Sequence, residues 1–544
     1  MIRKKRILSA FLAASLVFTL ASCGKSVEQQ DSKSVSVGET AVSTEDYFPL
    51  EKAVDVTIAG VRNDEFTPMS KMQFIQNLEE ETNVNVKWID WPQLSLKEKK
   101  NLAFASGDLP DAILGGYCLD PDEVVQYGEQ GFLLAFDEYI DNGMMPNFAA
   151  ALEKDPAIRS AITTPSGKIY ALPTINLATP LYDTNATTMI NKTWLDKLGL
   201  EVPKTTQELY DVLVAFKEAG DLNGNGQNDE IPMSFKYGDN NTGFFSMLGW
   251  FGHCAGTYGK SIVVDGKVEN YAMLPDYKDA MTFFNKLYTE KLLDQEIFTM
   301  DTAAYNAKTI AEIPSVGVIS NWSTAYLNNP ITNGDAYIYL PPLQPENGNR
   351  PMWQKRIYSY NGNFSFAINA NSKYIEELVR WVDLWYDVDT SIDALYGGSE
   401  YLISHGDGVY EMVTKDAAGN NVTWAQKSAY SPVNFSVGCI LPNDFTWKEI
   451  DANTQKKLDA NDVYKPYLEQ EYYNSSWFVT ADEKSALAAY TLDVTNYRDE
   501  MAASFITEGN IENRWDEYVQ QMSNVGADKI KELQQNIYDR NQKS

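Results

Sequence analysis

Val54-Asp55-Val56-Thr57-Ile58 alternates apolar with polar side chains, and further along Val84-Asn85-Val86-Lys87-Trp88 does the same. A period of two marks a strand with one face on a core. Between the two, Met72, Ile75 and Leu78 recur at intervals of three and share one face of a helix. A second helix is predicted around Leu96–Ser106 and a short apolar strand at Ala112–Leu114. That order of strand, helix, strand, helix, strand specifies a parallel sheet flanked by helices.

At 544 residues the chain is too long for one compact core, which predicts two or three lobes. With 44% hydrophobic and 22% charged residues it has the composition of a globular protein. The 75 acidic against 45 basic residues give a charge of −30, which argues against nucleic-acid binding, where a basic face is required. No repeat of fixed period is apparent, which argues against a solenoid or propeller. Tyr, at 32, outnumbers Phe, at 23, beside 12 Trp, a balance that favours amphipathic clefts as well as core.

Arg3, Lys4, Lys5 and Arg6 precede the mostly apolar stretch Ile7–Leu20, which is too short to span a bilayer and reads as a secretory leader over residues 1–22. Leu20-Ala21-Ser22-Cys23 resembles the bacterial lipobox, which implies that Cys23 is lipidated and becomes the mature N-terminus. Residues 23–53 then form a flexible tether, rich in Ser, Thr, Glu and Gln. Cys118, Cys254 and Cys439 remain, and the spacing leaves open three buried thiols or one disulfide, without support for a zinc site. His253 and His405 are the only histidines, and neither lies in a hydrolase motif.

Ser106-Gly107-Asp108-Leu109-Pro110-Asp111 resembles a turn of the extracellular solute-binding proteins of bacterial ABC sugar importers. Gly167-Lys168-Ile169-Tyr170-Ala171-Leu172-Pro173, Asn191-Lys192 through Pro203-Lys204-Thr205, and the closing stretches around Phe505–Gly509, Trp515–Val519 and Tyr538–Arg540 resemble the same family, in the same order. Mechanically, Thr205 and Glu208 make a capping box, Leu209, Val212, Leu213 and Phe216 form one apolar helical face, and Gly220 ends it. The resemblance implies a two-lobed periplasmic-binding-protein-like α/β fold of type II, each lobe a mainly parallel sheet flanked by helices, with the ligand cleft at the hinge. It places residues 54–178 with 363–430 in the N-terminal lobe and 179–362 with 431–544 in the C-terminal lobe, the third crossing being the least defined. It implies a monomeric, lipid-anchored extracytoplasmic receptor that captures a carbohydrate, an oligosaccharide, and delivers it to ABC permease subunits.

Asp221-Leu222-Asn223-Gly224-Asn225-Gly226-Gln227-Asn228-Asp229-Glu230 follows the capped helix directly. Alternating oxygen side chains turn Asp221, Asn223 and Asn225 inward, Gly226 allows the chain to double back, Gln227 offers its carbonyl, and Asp229 and Glu230 close the shell. Hard oxygen donors suit calcium. Pro232 stands where an EF-hand needs Glu, and the pattern resembles instead the calcium loop of alginate-binding and related lipoproteins. A structural calcium ion is expected.

A sugar cleft needs flat aromatic faces and planar polar groups. Tyr182 with Asp183, Trp250, Trp322, Trp353 with Arg356 and Tyr358, and His405 with Asp407 occupy loop-like contexts and are the predicted ligand residues; Trp477 is a weaker candidate. Trp381, Trp385 and Trp515 sit in helical patterns and read as core. The acidic excess does not itself point to an anionic ligand, since uronates would need clustered basic groups and Lys355-Arg356 is the only such pair near a candidate cleft. The alternatives are the same fold binding a peptide or a sensor's signal, and a secreted glycoside hydrolase, for which two carboxylates would suffice.

Overall fold

In the computed structural model residues 47–542 are described, except 239–243, 255–260, 311–312, 314, 325–335, 357, 359, 421, 451 and 470. The leader, Cys23 and most of the tether lie outside the described residues. Strand β1 (Val54–Arg62), an interior strand of its sheet, starts half exposed, but from Ile58 onward every residue is buried, so both faces are covered there. Strand β2 (Val84–Pro92) is at the sheet's edge and keeps its alternation over Val84–Trp88. Between them helix α1 (Gln73–Thr82) buries Phe74, Ile75 and Leu78 and stops where Asn83 takes φ 58°, a conformation Asn tolerates. Helix α2 (Leu96–Ser106) and β3 (Ala112–Leu119) complete the unit, with β1 parallel to both β2 and β3.

Helix α3 (Pro121–Glu129) leads on to β4 (Leu172–Asn176), β5 (Thr187–Asn191), helix α4 (Thr206–Glu218) and β6 (Ile231–Ser234). Strands β7 (Ser261–Val264), β8 (Lys267–Asn270), β9 (Val316–Asn321), β10 (Tyr337–Leu340) and β11 (Phe364–Ile368) follow. Then come β12 (Leu402–Ser404), β13 (Val409–Met412), β14 (Gly438–Ile440) and β15 (Thr446–Trp447). Helices α5 (Ala452–Tyr464), α6 (Ala481–Glu508) and α7 (Ala527–Asn541) lie beyond.

Two sheets define two lobes. The first has six strands in the order β14-β4-β11-β3-β1-β2, the second four in the order β10-β5-β9-β6, and each has its own apolar core. Strands β5 and β11 each enter a lobe directly from a crossing, and each runs antiparallel to both of its neighbours. The chain is therefore α/β and two-lobed, and the strands delivered by the hinge are the ones that break the parallel pattern. In α4 the Glu208 N–H donates to Thr205 Oγ1 at 3.0 Å, the Thr205 N–H donates to Glu208 at 3.2 Å, and Leu209, Val212, Leu213 and Phe216 are buried.

The expected return to the second lobe at residue 431 comes too early. Strand β14 pairs in parallel with β4 in the first sheet, and Val433, Phe435, Val437 and Cys439 lie in the first core. Helix α5 then reaches the second lobe, where the Tyr464 hydroxyl donates to the carbonyls of Thr188 at 3.0 Å and Leu340 at 2.8 Å. Phe478 returns to the first core before α6 carries the chain into the second. Apolar runs this short have no measurable period, so the sequence could not assign them to a lobe. Cys118, Cys254 and Cys439 form no disulfide and are buried, and burial pushes the Cys118 and Cys439 thiols up to about 12. No described helix is long and apolar enough to cross a membrane.

Candidate functional site

Five of the nine predicted ligand residues meet, but they meet against a helix. Trp322, which follows β9, stands edge-on to Tyr182 with ring centres 5.7 Å apart. The Arg356 guanidinium lies 4.8 Å from the Tyr358 ring centre and 5.1 Å from that of Trp322. Lys457, from α5, places its ammonium 3.9 Å from the Trp322 ring centre and donates to the carbonyls of Asn185 and Trp322. Burial, reinforced by the nearby Arg356 charge, lowers Lys457 to about 7. Asp183 joins through its backbone, its N–H donating to Asn461 and its carbonyl accepting from the Arg356 N–H, each at 2.8 Å. Cation–aromatic contacts of this kind contribute about 0.5–2 kcal/mol each. They brace the first and second crossings onto α5.

The remaining four lie outside this cluster, and the burial of the two tryptophans turns them from ligand residues into core. Trp250 and Trp353 are 0% exposed and belong to the second core. Trp250 lies within the run Phe244–Phe251, which is buried throughout. Trp353 donates from Nε1 to Thr184 Oγ1 and the Ala186 carbonyl, each at 3.0 Å, and packs 4.7 Å from the Tyr464 ring. A loop that folds back over a core looks in sequence like a loop facing a cleft, and the burial of a large ring decides between them. His405 and Asp407 lie in the β12–β13 turn, where His405 Nε2 hydrogen-bonds Glu411 at 2.9 Å and Asp407 takes φ 50°.

A cavity of ≈ 540 Å³ opens elsewhere, between the lobes and along all three crossings. None of the nine predicted residues lines it; Trp477 does. The first lobe contributes Asp120–Asp122 at the start of α3, the first crossing Asn185, and the second Gln354 and Lys355. Lys355 and Arg356 are consecutive, and they serve opposite sides of the crossing strand. The second lobe contributes β7, β8, α6 and α7. The third crossing supplies the aromatic wall, Tyr472, Tyr473 and Trp477. Trp477 stands edge-on to Tyr473 at 5.5 Å and to Tyr538 of α7 at 5.8 Å, and is half-buried. Its loop is held by a capping box at Thr480 and Glu483, with Arg540 donating to Glu483 at 2.7 Å. Across the mouth, Lys484 of α6 faces Asp122 of α3 at 3.1 Å, an ion pair between lobes. At the floor, Glu469 is 7% exposed, and burial pushes its carboxyl up to about 8. The sequence does hold a signal here, a non-periodic mixture of Tyr, Asn, Ser and Trp directly before a helix cap.

The cation loop folds around Asp221, whose carboxylate accepts the Gly224 N–H at 2.7 Å and the Gly226 N–H at 2.9 Å. Asn223 and Asn225 accept from the backbone two residues on, and both donate from Nδ2 to Asp229, so these side chains converge. Glu230 differs from expectation in using Oε1 to clasp the N–H groups of Leu222 and Asn223 at the loop's neck. Gly224 and Gly226 hold φ near 80°, with open space where a Cβ would be. No group of three or more His, Cys, Asp or Glu side chains suited to a metal occurs among the described residues, so a cation here would depend on amide and carbonyl oxygens as well.

Comparison with known proteins gives a consistent answer. The family model for the bacterial extracellular solute-binding protein matches residues 63–389. A fructooligosaccharide ABC transporter substrate-binding protein, FusA, of Streptococcus pneumoniae is 30% identical over 98% of both chains. Its structure in complex with kestose superposes with a TM-score of 0.74 at 26% identity, covering 90% of this chain and 99% of that one, and an EF-hand mutant of it superposes at 0.73. An HMO-binding, ABC-transporter-associated solute-binding protein from Bifidobacterium longum infantis shares the fold, with a TM-score of 0.78 at 23% identity over 90% of this chain and 99% of that one. Two lobes on split sheets, three crossings and a cavity between them, together with a family match over more than half of its length, make this chain a member of the bacterial extracellular solute-binding protein family.

Proposed function

We propose that the protein is a lipid-anchored, extracytoplasmic substrate-binding protein that captures an oligosaccharide between its lobes and hands it to an ABC permease, binding without chemistry. The observation that carries this reading is the interlobe cavity with its aromatic wall. Its volume lies within the ~300–1,000 Å³ of ordinary ligand sites, and Asn185, Asn270 and Gln534, whose amides suit hydroxyl recognition, share its lining with Tyr473 and Trp477. Closure of the lobes about the three crossings would bury the ligand. The relative named for fructooligosaccharides, at 30% identity, supports the substrate class. A thermal-shift screen of neutral oligosaccharides tests it. A bound glycan at 100 times its Kd should add about 2.7 kcal/mol of stability. Peptides shifting the midpoint while no glycan does would overturn the class.

The loop Asp221–Glu230 would hold a structural calcium ion through Asp221, Asn223, Asn225, the Gln227 carbonyl, Asp229 and Glu230. The support is the convergence of Asp229 with both asparagine amides, whose oxygens a rotation would present. Cys23 would carry the lipid that keeps a monomeric body at the outer face of the cell membrane. Labelled palmitate should appear in the protein and vanish in Cys23→Ala; unchanged labelling would rule out that anchor.

A further inference from the structure

Most charged groups of the cleft are matched, and the exceptions are the exposed Lys355 and the buried Glu469 at its floor. Asp120 caps α3 by accepting the Glu123 N–H at 2.9 Å. Asp122 faces Lys484 at 3.1 Å, and Arg498 faces Asp499 at 2.7 Å. Glu469 has no such partner among the described residues. Its carboxyl accepts one long hydrogen bond, from the Lys355 N–H at 3.3 Å, and the Lys355 side chain is itself exposed. A buried carboxyl so weakly satisfied is costly to the fold, and this one lines the cavity.

Building on the carbohydrate reading above, we propose that Glu469 is the specificity-determining residue of the cleft, hydrogen-bonding a hydroxyl of the ligand and restricting the cleft to uncharged, hydroxyl-rich molecules. Protonated, the carboxyl donates through its O–H and accepts through its other oxygen, which matches a sugar hydroxyl that does both. A uronate or sugar phosphate would bring a second acid to this floor. Of the cations on the cavity, Lys484 and Arg498 are already paired, and Lys355 is exposed and already acts on Glu469 itself.

Several charged or titratable groups share the cavity with Glu469: Lys355 from the second crossing, Tyr472 and Tyr473 from its own, Lys484 and Arg498 from α6, and Asp120 and Asp122 from α3. Of these, the Lys355 charge pulls the carboxyl down, by less than burial pushes it up to about 8. Ionisation at higher pH would place a charge, only partly offset by Lys355, where the ligand excludes water. Affinity should therefore fall as pH rises past that value.

Isothermal titration of the full chain with kestose and other neutral tri- and tetrasaccharides, and with oligogalacturonates, tests this. Wild type should bind a neutral glycan about tenfold more weakly near pH 9.5 than near pH 6.5, and bind no oligogalacturonate. Glu469→Gln should stay within about threefold of wild type near pH 6.5 and lose the pH dependence, whereas Glu469→Leu should lose about thirtyfold or more. Both variants remove a buried acid, so both should fold with midpoints at or above that of wild type near pH 9.5, where the native carboxyl is ionised. Glycan binding indifferent to both substitutions, or tighter binding of oligogalacturonate, overturns the inference alone. Failure of wild type to bind any glycan overturns the carbohydrate reading, and this inference with it.

Discussion

Trp477→Ala is expected to lower saccharide affinity by about 2–4 kcal/mol, or ~30- to 700-fold, as measured by isothermal titration. The ring is only half-buried, stands in an aromatic wall with Tyr473 and Tyr538, and lies on the cavity. It therefore has a face to offer a sugar ring. Its neighbours are fixed from behind by the Thr480–Glu483 cap and by Arg540, so truncation should leave a hole in the wall without collapsing the loop. The thermal midpoint of the ligand-free protein should move little. Trp322→Ala supplies the contrast, because that ring is clasped by Arg356 and Lys457 away from the cavity. Loss of binding in Trp322→Ala, with binding intact in Trp477→Ala, would place the ligand on the other side of the crossings.

The second large effect concerns the cation loop. Wild-type protein in calcium at 100 times its Kd should gain about 2.7 kcal/mol over chelator-treated protein, seen as a raised thermal midpoint. Asp221→Ala should abolish that gain and purify without calcium. Asp221 accepts the N–H groups of Gly224 and Gly226, so it shapes the loop as well as offering oxygens to it. Its loss removes both the charge and the turn. Equal calcium content in the two proteins would refute the assignment. Glycan affinity should change much less than in Trp477→Ala, since no residue of the loop lines the cavity.

The β-α-β unit was legible because its signals are local. Val84–Trp88 sits at an edge, so its alternation survives folding, and the Thr205–Glu208 cap depends on residues three apart. The cation loop is equally local, and Glu230 adds a contact its spacing did not imply, an Oε1 clasp on the N–H groups of Leu222 and Asn223. The cleft was not legible, because its definition is not local. Trp353 and Trp477 look alike in sequence, and what separates them is Tyr464 and Thr184 packed on one and a cavity beside the other. Periodicity does not reveal which distant segment will cover a loop. Glu469 is the extreme case, an ordinary surface residue by composition that three crossings enclose.

The placement of β14 also constrains how the molecule comes into being. Strand β4 is made early, yet both of its sheet neighbours, β11 and β14, are made much later, and Phe478 later still. While the chain is being synthesised from its N-terminus, the first lobe cannot close until residue 440 has emerged, and β4 waits with both edges unpaired. No shorter fragment contains a finished first sheet. A chain whose earliest lobe is completed by its latest segments remains open to threading for most of its synthesis, and it depends on its last hundred or so residues to become a protein at all.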